Sequence, residues 1–232
     1  MAKGFGMIHP NMCTMLSFIT TDAVISKEAL QKALSEDVQN TYNMISVDGD
    51  YFHKRHSAAP GQTGAAQNEE IKVGTPDYEA FTEALHEINV YLAKKIAGDG
   101  EGATALFEAK VIGAKTKEQA KTLAKSIVCS DLTKTAIAGH DANWGRIFCA
   151  MGYSGAQFDP EKVDLFFESR AGKIQITEDG TAVAIARRRR RKFFPSRKSQ
   201  PLPISRWGQK KHPHGDAILH TIILKSNADY RS

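Results

Sequence analysis

The sequence predicts an α/β protein built on a mixed or antiparallel sheet. Apolar residues recur at helical spacing in several segments. Short runs rich in β-branched residues lie between them. The two kinds of segment alternate along the chain without a repeat. The 232 residues are 41% hydrophobic and 25% charged, enough to bury one large core or two small ones. No run reaches the roughly 18 apolar residues of a membrane helix, so no bilayer-spanning helix is expected. The start, Met1 to Phe18, has no basic stretch followed by an apolar core, which argues against an export signal. Cys13, Cys129 and Cys149 show no metal-ligand spacing, so no metal is expected and a reducing, cytoplasmic setting is the simplest.

Met15 to Thr21 reads as a buried strand. A helix follows over Lys27–Asn40, with Ser26 as N-cap and Leu30, Leu34 and Val38 on one face. Met44–Val47 reads as a short strand ahead of Asp48-Gly49-Asp50. Thr75 caps the clearest helix. Pro76 opens it, Asp77 and Glu79 suit its positive end, and Gly98 stops it. Its predicted buried face is Phe81, Leu85, Ile88 and Leu92. After the glycine-rich loop 98–102, residues 103–112 read as a strand. Thr116-Lys117-Glu118-Gln119 is a capping box opening a helix to Cys129. Lys134–Ala138 reads as a strand, and Asp141 to Arg146 starts a helix reaching Met151. Val163–Ser169 and Lys173–Thr177 read as strands, with a turn at Glu178-Asp179-Gly180.

Two segments break the pattern. Residues 51–67 and 184–225 show neither period and read as loop or disordered chain. The net charge of +5 hides an asymmetry. Of the 31 Lys and Arg, twelve fall in 184–225 beside a single acid, Asp216, leaving 19 bases and 25 acids elsewhere. The run Arg187 to Lys192, with Arg197 and Lys198, suits either a solvated tail or a segment binding nucleic-acid phosphates.

Few residues point to chemistry by themselves. Thr14 joins a polar loop to an apolar run, as a plain β-former would. It could also act as a nucleophile. Cleavage between Cys13 and Thr14 would free an α-amine of pKa near ~8, able to serve as base for the threonine's own hydroxyl. Glu101 lies between Gly100 and Gly102, so it is either a solvated turn residue or a carboxylate that a ligand can approach closely. Lys3 alone is unremarkable.

Read together, these motifs resemble a known family. Lys3-Gly4-Phe5-Gly6-Met7-Ile8-His9-Pro10-Asn11-Met12-Cys13-Thr14-Met15-Leu16 is similar to the pattern KGSGMIAPNMATML of the bifunctional ornithine acetyltransferase/glutamate N-acetyltransferases of arginine biosynthesis. Further matches are Ser46 to Asp50, Gly98 to Thr104, Gly139 to Arg146 and Asn227 to Ser232. The resemblance implies layered α/β/β/α packing and a precursor that cleaves itself before Thr14. It implies acetyl transfer from N-acetylornithine to glutamate through an acetyl-threonine, with acetyl-CoA a further donor in some members. It implies that Thr14 is the nucleophile and that Lys3, Thr14, Glu101, Asn227 and Ser232 bind substrate. No metal or cofactor is implied, nor any nucleic acid or membrane. The expected assembly is an α2β2 heterotetramer. Residues 1–13 would be the end of its α chain and 14–232 its β chain, and a Thr-Gly oxyanion pair would lie upstream. Phe5, His9 and Cys13 depart from the pattern, which has Ser, Ala and Ala there.

The odd segments admit a genetic reading. Where the family continues TSTNDT after Asp50, this chain has Tyr51-Phe52-His53-Lys54-Arg55-His56. Codons for those six residues, read one base later, can encode TSTNDT. The codons from Pro213 onward, read from the third base of the Pro213 codon, can encode AWGCDLTYDYI, close to the family's final strand. Paired frameshifts over about 51–66 and 184–225 would account for the basic island.

Overall fold

A computed structural model describes residues 2–3, 9, 16–49, 56–58, 69–100, 106–139, 141–169, 172–184 and 221–223. The architecture is mixed α/β, as the alternation of patterns predicts. Among the described residues three small sheets carry it. In the first, β1 (Ala2–Lys3) runs antiparallel to β2 (Leu16–Phe18), and β3 (His56–Ala58) runs parallel to β2 on its other side. The second pairs β4 (Phe107–Ala109) with β8 (Thr221–Ile223), antiparallel. The third is the antiparallel meander β5 (Leu165–Ser169), β6 (Gly172–Glu178) and β7 (Thr181–Ala182).

Helix α1 (Lys27–Val38) begins where Ser26 Oγ accepts from the Ala29 amide. Helix α2 (Pro76–Gly98) begins where Thr75 Oγ1 accepts from the Tyr78 amide. The two helices pack together, and α2 also packs on β1 and β8. Its buried face is Tyr78, Leu85, Asn89, Ala93, Ile96 and Ala97. Ile88, expected on that face, is 45% exposed. Asn89 takes the inner position instead because it hydrogen-bonds the buried Asp37 on α1 at 2.6 Å.

Helix α3 (Lys117–Cys129) starts at the predicted capping box, with Thr116 Oγ1 accepting from the Gln119 amide. Gln119 returns the bond one residue earlier than a regular box, accepting from the Lys115 amide. Helix α3 packs on β4 and β8 and on α4 (Asp131–Ala138) and α5 (Trp144–Gly152). The largest core cluster joins α3, α4 and α5 to β4, β5 and β6 through residues such as Phe107, Leu123, Ile127, Ile147, Met151 and Phe167. A second cluster joins α1 and α2 to Tyr42, Ile45 and Val47.

The structure corrects four element assignments. Lys134–Ala138 is helical, because Ser130 caps α4 by accepting from the Thr133 amide. Met44–Val47 is not a strand. A 3₁₀ turn at Tyr42–Met44 leads into Ile45–Val47. Two of this segment's carbonyls accept from lysine ammonium groups rather than from a neighbouring strand. The expected strand at 103–112 is confined, among the described residues, to Phe107–Ala109. The segments read as loop contain the short strands β3 and β8. Three paired residues are too short to show a sequence period, and backbone ladders make little demand on side chains.

Candidate active site

Of the five residues that the resemblance marks for substrate, Thr14, Glu101, Asn227 and Ser232 lie outside the described residues, as does Cys13 at the expected cleavage bond. The backbone of Lys3 lies in β1, where it pairs with Leu16. The antiparallel register therefore brings the lysine of the motif opposite a residue two positions beyond Thr14. Helix α2 packs on β1 and on β8, and it ends at Gly98, three residues before Glu101. Strand β8 ends at Ile223, four residues before Asn227.

The segment 42–47 lies against the same region. Tyr42 is fully buried and its hydroxyl meets Ser17 Oγ of β2 at 2.9 Å. Burial pushes the Tyr42 phenol up to about 12, the Ser17 bond opposing the shift, so it stays neutral. Lys125 on α3 donates to the Asn43 carbonyl at 3.0 Å. Lys134 on α4 donates to the Val47 carbonyl at 3.1 Å. Two helices thus grip one short segment through its carbonyls.

Ser46, inside that segment, meets a third group. Its Oγ lies 3.0 Å from Nδ1 of His9, and the same nitrogen lies 3.4 Å from Sγ of Cys129 at the end of α3. His9 is half-buried. Burial lowers its pKa to about 4, helped by Lys125 and Lys134 and opposed by Asp48. The imidazole is therefore uncharged at neutral pH. Burial pushes the Cys129 thiol up, while Ser46, Lys125 and Lys134 pull the other way. The thiol stays protonated, so this cysteine is a packing and hydrogen-bonding group rather than a nucleophile. Burial likewise lowers the Lys125 ammonium.

Sequence reasoning identified Ser46 as part of a motif and His9 as a departure from the family pattern. It did not connect either to Cys129, Lys125 or Lys134. Among the described residues no group of three or more His, Cys, Asp or Glu is placed to hold a metal ion, and no helix is long and apolar enough to cross a membrane.

Comparison with known proteins converges on one family. The ArgJ family profile matches residues 1–232. The arginine biosynthesis bifunctional protein ArgJ of Thermotoga neapolitana is 50% identical over 231 residues, covering 100% of this chain and 58% of that protein. ArgJ 1 of Clostridium acetobutylicum is 53% identical over 182 residues, covering 78% of this chain and 44% of its own length. The crystal structure of arginine biosynthesis bifunctional protein argJ from Bacillus halodurans superposes with a TM-score of 0.81 at 37% identity, covering 94% of this chain and 97% of that one. This chain spans about half the length of the curated relatives it matches, 58% and 44% of these two. With a profile that spans every residue and a solved relative that shares its fold, the chain belongs to the ArgJ family.

Proposed function

We propose that this chain carries the acyl-transfer half of an arginine-biosynthesis acetyltransferase, exposed by cleavage between Cys13 and Thr14. The Thr14 hydroxyl attacks the Cys13 carbonyl, the C–N bond breaks as the ester forms and frees the Thr14 amine, and water hydrolyses that ester to a Cys13 carboxylate and the Thr14 hydroxyl. The freed amine then takes the proton from its own hydroxyl as Oγ attacks the acetyl carbonyl of N-acetylornithine. Ornithine leaves with the proton, and an acetyl-threonine ester remains. The glutamate amine attacks the ester, and N-acetylglutamate departs. Acetyl-CoA is an alternative first donor, and no cofactor takes part. Lys3, Glu101, Asn227 and Ser232 hold the charged ends of the amino-acid substrates. The partner is the α chain of the same precursor, in an α2β2 assembly within the cytoplasm.

The observation that carries this reading is the pairing of Lys3 with Leu16, which supports a shared site for Lys3 and the segment bearing Thr14. The test joins intact mass with acetyl exchange between labelled N-acetylornithine and glutamate. We expect a fragment beginning at Thr14, and loss of both cleavage and exchange in Thr14→Ala. Exchange at the unaltered rate in Thr14→Ala would sink the reading.

The frameshift reading of 51–66 and 184–225 is retained as part of this proposal. It is supported by the departure of Tyr51 to His56 from TSTNDT and by the twelve Lys and Arg beside one acid in 184–225. Sequencing the gene across both segments tests it. Restoration of TSTNDT and WGCDLTYDY is expected, and a gene that encodes the residues as they stand defeats it.

A further inference from the structure

We propose that the outer face of helix α2 is the contact between two copies of this chain, paired antiparallel about a two-fold axis near His86. The inference rests on the two-copy assembly proposed above and gives it a surface. Asp77, Ala80, Ala84, Ile88, Tyr91 and Lys95 are all exposed. They recur at steps of three and four, so they form one straight stripe along α2. The stripe points away from the buried residues Tyr78, Leu85, Asn89, Ala93 and Ile96. Tyr91 is 60% exposed, although its ring gains by leaving water. Helix α1, packed beside α2, has no such face. Its exposed residues are Lys27, Glu28, Gln31, Lys32, Ser35 and Glu36, every one polar.

The order of residues along the stripe identifies the occupant. It runs acid, small, small, large, large, base. Turned end for end, the same stripe runs base, large, large, small, small, acid. Antiparallel pairing therefore sets Asp77 opposite Lys95 of the second copy, Ala80 opposite Tyr91 of the second copy and Ala84 opposite Ile88 of the second copy. Each match occurs twice, as an isologous contact requires. Alanine lets the two helix axes approach to about 8 Å, and the larger side chains fill the space above it.

The charges at the ends fit the same arrangement. Lys95 Nζ lies 5.5 Å from the centre of the Tyr91 ring, which keeps the cation on the stripe. Antiparallel helices also bring opposite dipole ends together. Glu83 and Glu87 fall to one side of the stripe, where the same acids approach from the second copy and water fills the edge. The stripe is about 27 Å long, which makes it the centre of a contact rather than the whole of one.

The test uses protein produced from the whole reading frame of its own gene. Native mass counts the copies of this chain, and sedimentation over a dilution series gives the dissociation constant of the pair. The unaltered protein should hold two copies. Tyr91→Glu should raise the dissociation constant roughly 30-fold or more, as loss of a central aromatic contact does. Asp77→Lys and Lys95→Glu each set like charges together twice, and each should weaken pairing about 10-fold. Joined in one chain, they exchange the charges and should restore pairing to within about threefold. That rescue is specific to a second copy, because no other partner carries the compensating change. If Tyr91→Glu proves unfolded by circular dichroism, the charge exchange decides. Pairing that is unweakened in Tyr91→Glu and in both charge variants overturns the inference and leaves the α2β2 reading intact. A double variant that pairs no better than the single ones overturns it too, as does a Tyr91→Glu protein that sheds a different polypeptide while this chain stays paired. An unaltered protein with one copy of this chain overturns the surface and the α2β2 assembly together, and acetyl exchange tests the chemistry apart from both.

Discussion

The ammonium of Lys134 donates to the carbonyl of Val47 across 3.1 Å, although the lysine side chain is only 1% exposed. Its nearest carboxylate, Asp131, is 3.9 Å away and 80% exposed, so it offers little screened attraction. The carbonyl is thus the principal partner of a buried cation. Lys134→Ala removes that donor, strands the Val47 carbonyl and opens a cavity. A loss of about 2–4 kcal/mol of unfolding free energy is expected in urea titration. Lys134→Met fills the space without the bond and should lose less. No loss in Lys134→Met would mean that the contact itself contributes nothing.

Asp37 latches α1 to α2. Its carboxylate lies 2.5 Å from His86 Nδ1 and accepts from Asn89 Nδ2 at 2.6 Å and from Thr41 Oγ1 at 3.5 Å. Asp37 is 9% exposed, and Asn89 is fully buried with its own Oδ1 lacking a hydrogen-bond partner. Asp37→Ala leaves the Asn89 amide without that acceptor. The expected cost is about 2–4 kcal/mol. His86→Ala should cost under about 1 kcal/mol, because the imidazole is 46% exposed. A double-mutant cycle between Asp37 and Asn89 should give coupling near 1 kcal/mol or more, and additivity would refute the latch.

The turn between β6 and β7 tolerates no side chain at its second position. Asp179 has φ 44° and Gly180 φ 71°, the left-handed pair that a tight hairpin needs. A Cβ at Gly180 would fall 2.4 Å from the Pro160 carbonyl oxygen and 2.9 Å from Glu161 Cα. Both neighbours are backbone, so neither yields cheaply. Gly180→Ala is expected to lower stability by about 2–4 kcal/mol, read as a fall in the thermal midpoint. Gly155→Ala shares the positive φ of 81° but meets nothing within 4 Å, and should cost about 1 kcal/mol.

Local chemistry made some of this fold legible from sequence. Thr75, Pro76 and Gly98 bound α2 because caps act on groups within one turn. The Glu178-Asp179-Gly180 turn was readable for the same reason. The helix at 131–138 was not. Its Thr-Lys-Thr-Ala-Ile-Ala stretch is β-branched, and its start depends on Ser130, which both ends α3 and caps α4. Two helices in immediate succession leave no break for the eye to find. The His9, Ser46 and Cys129 cluster was illegible for a different reason. Its members are 37 and 120 positions apart, and only the packing of α3 beside the 42–47 segment brings them together. The motif residues Thr14, Glu101, Asn227 and Ser232 were legible as a resemblance, and elementary spacing alone would not have singled them out.

The lowered His9 pKa makes a prediction about acid stability. The group ionises near 6.5 in an unfolded chain and at about 4 in the fold, because burial and then Lys125 and Lys134 disfavour its charged form. Between those values the unfolded state binds more protons than the folded state, so stability rises with pH across this window. The contribution is complete above about pH 6.5 and is lost as pH falls toward 4. His9 is only half-buried, so solvent screening reduces the effect to about 1–2 kcal/mol. Urea midpoints taken every half unit from about pH 4 to 7 should show a steeper acid decline in the unaltered protein than in His9→Asn, whose amide does not titrate. Parallel profiles would mean that His9 keeps an ordinary pKa in the fold, and that the two lysines do not act on it as their positions require.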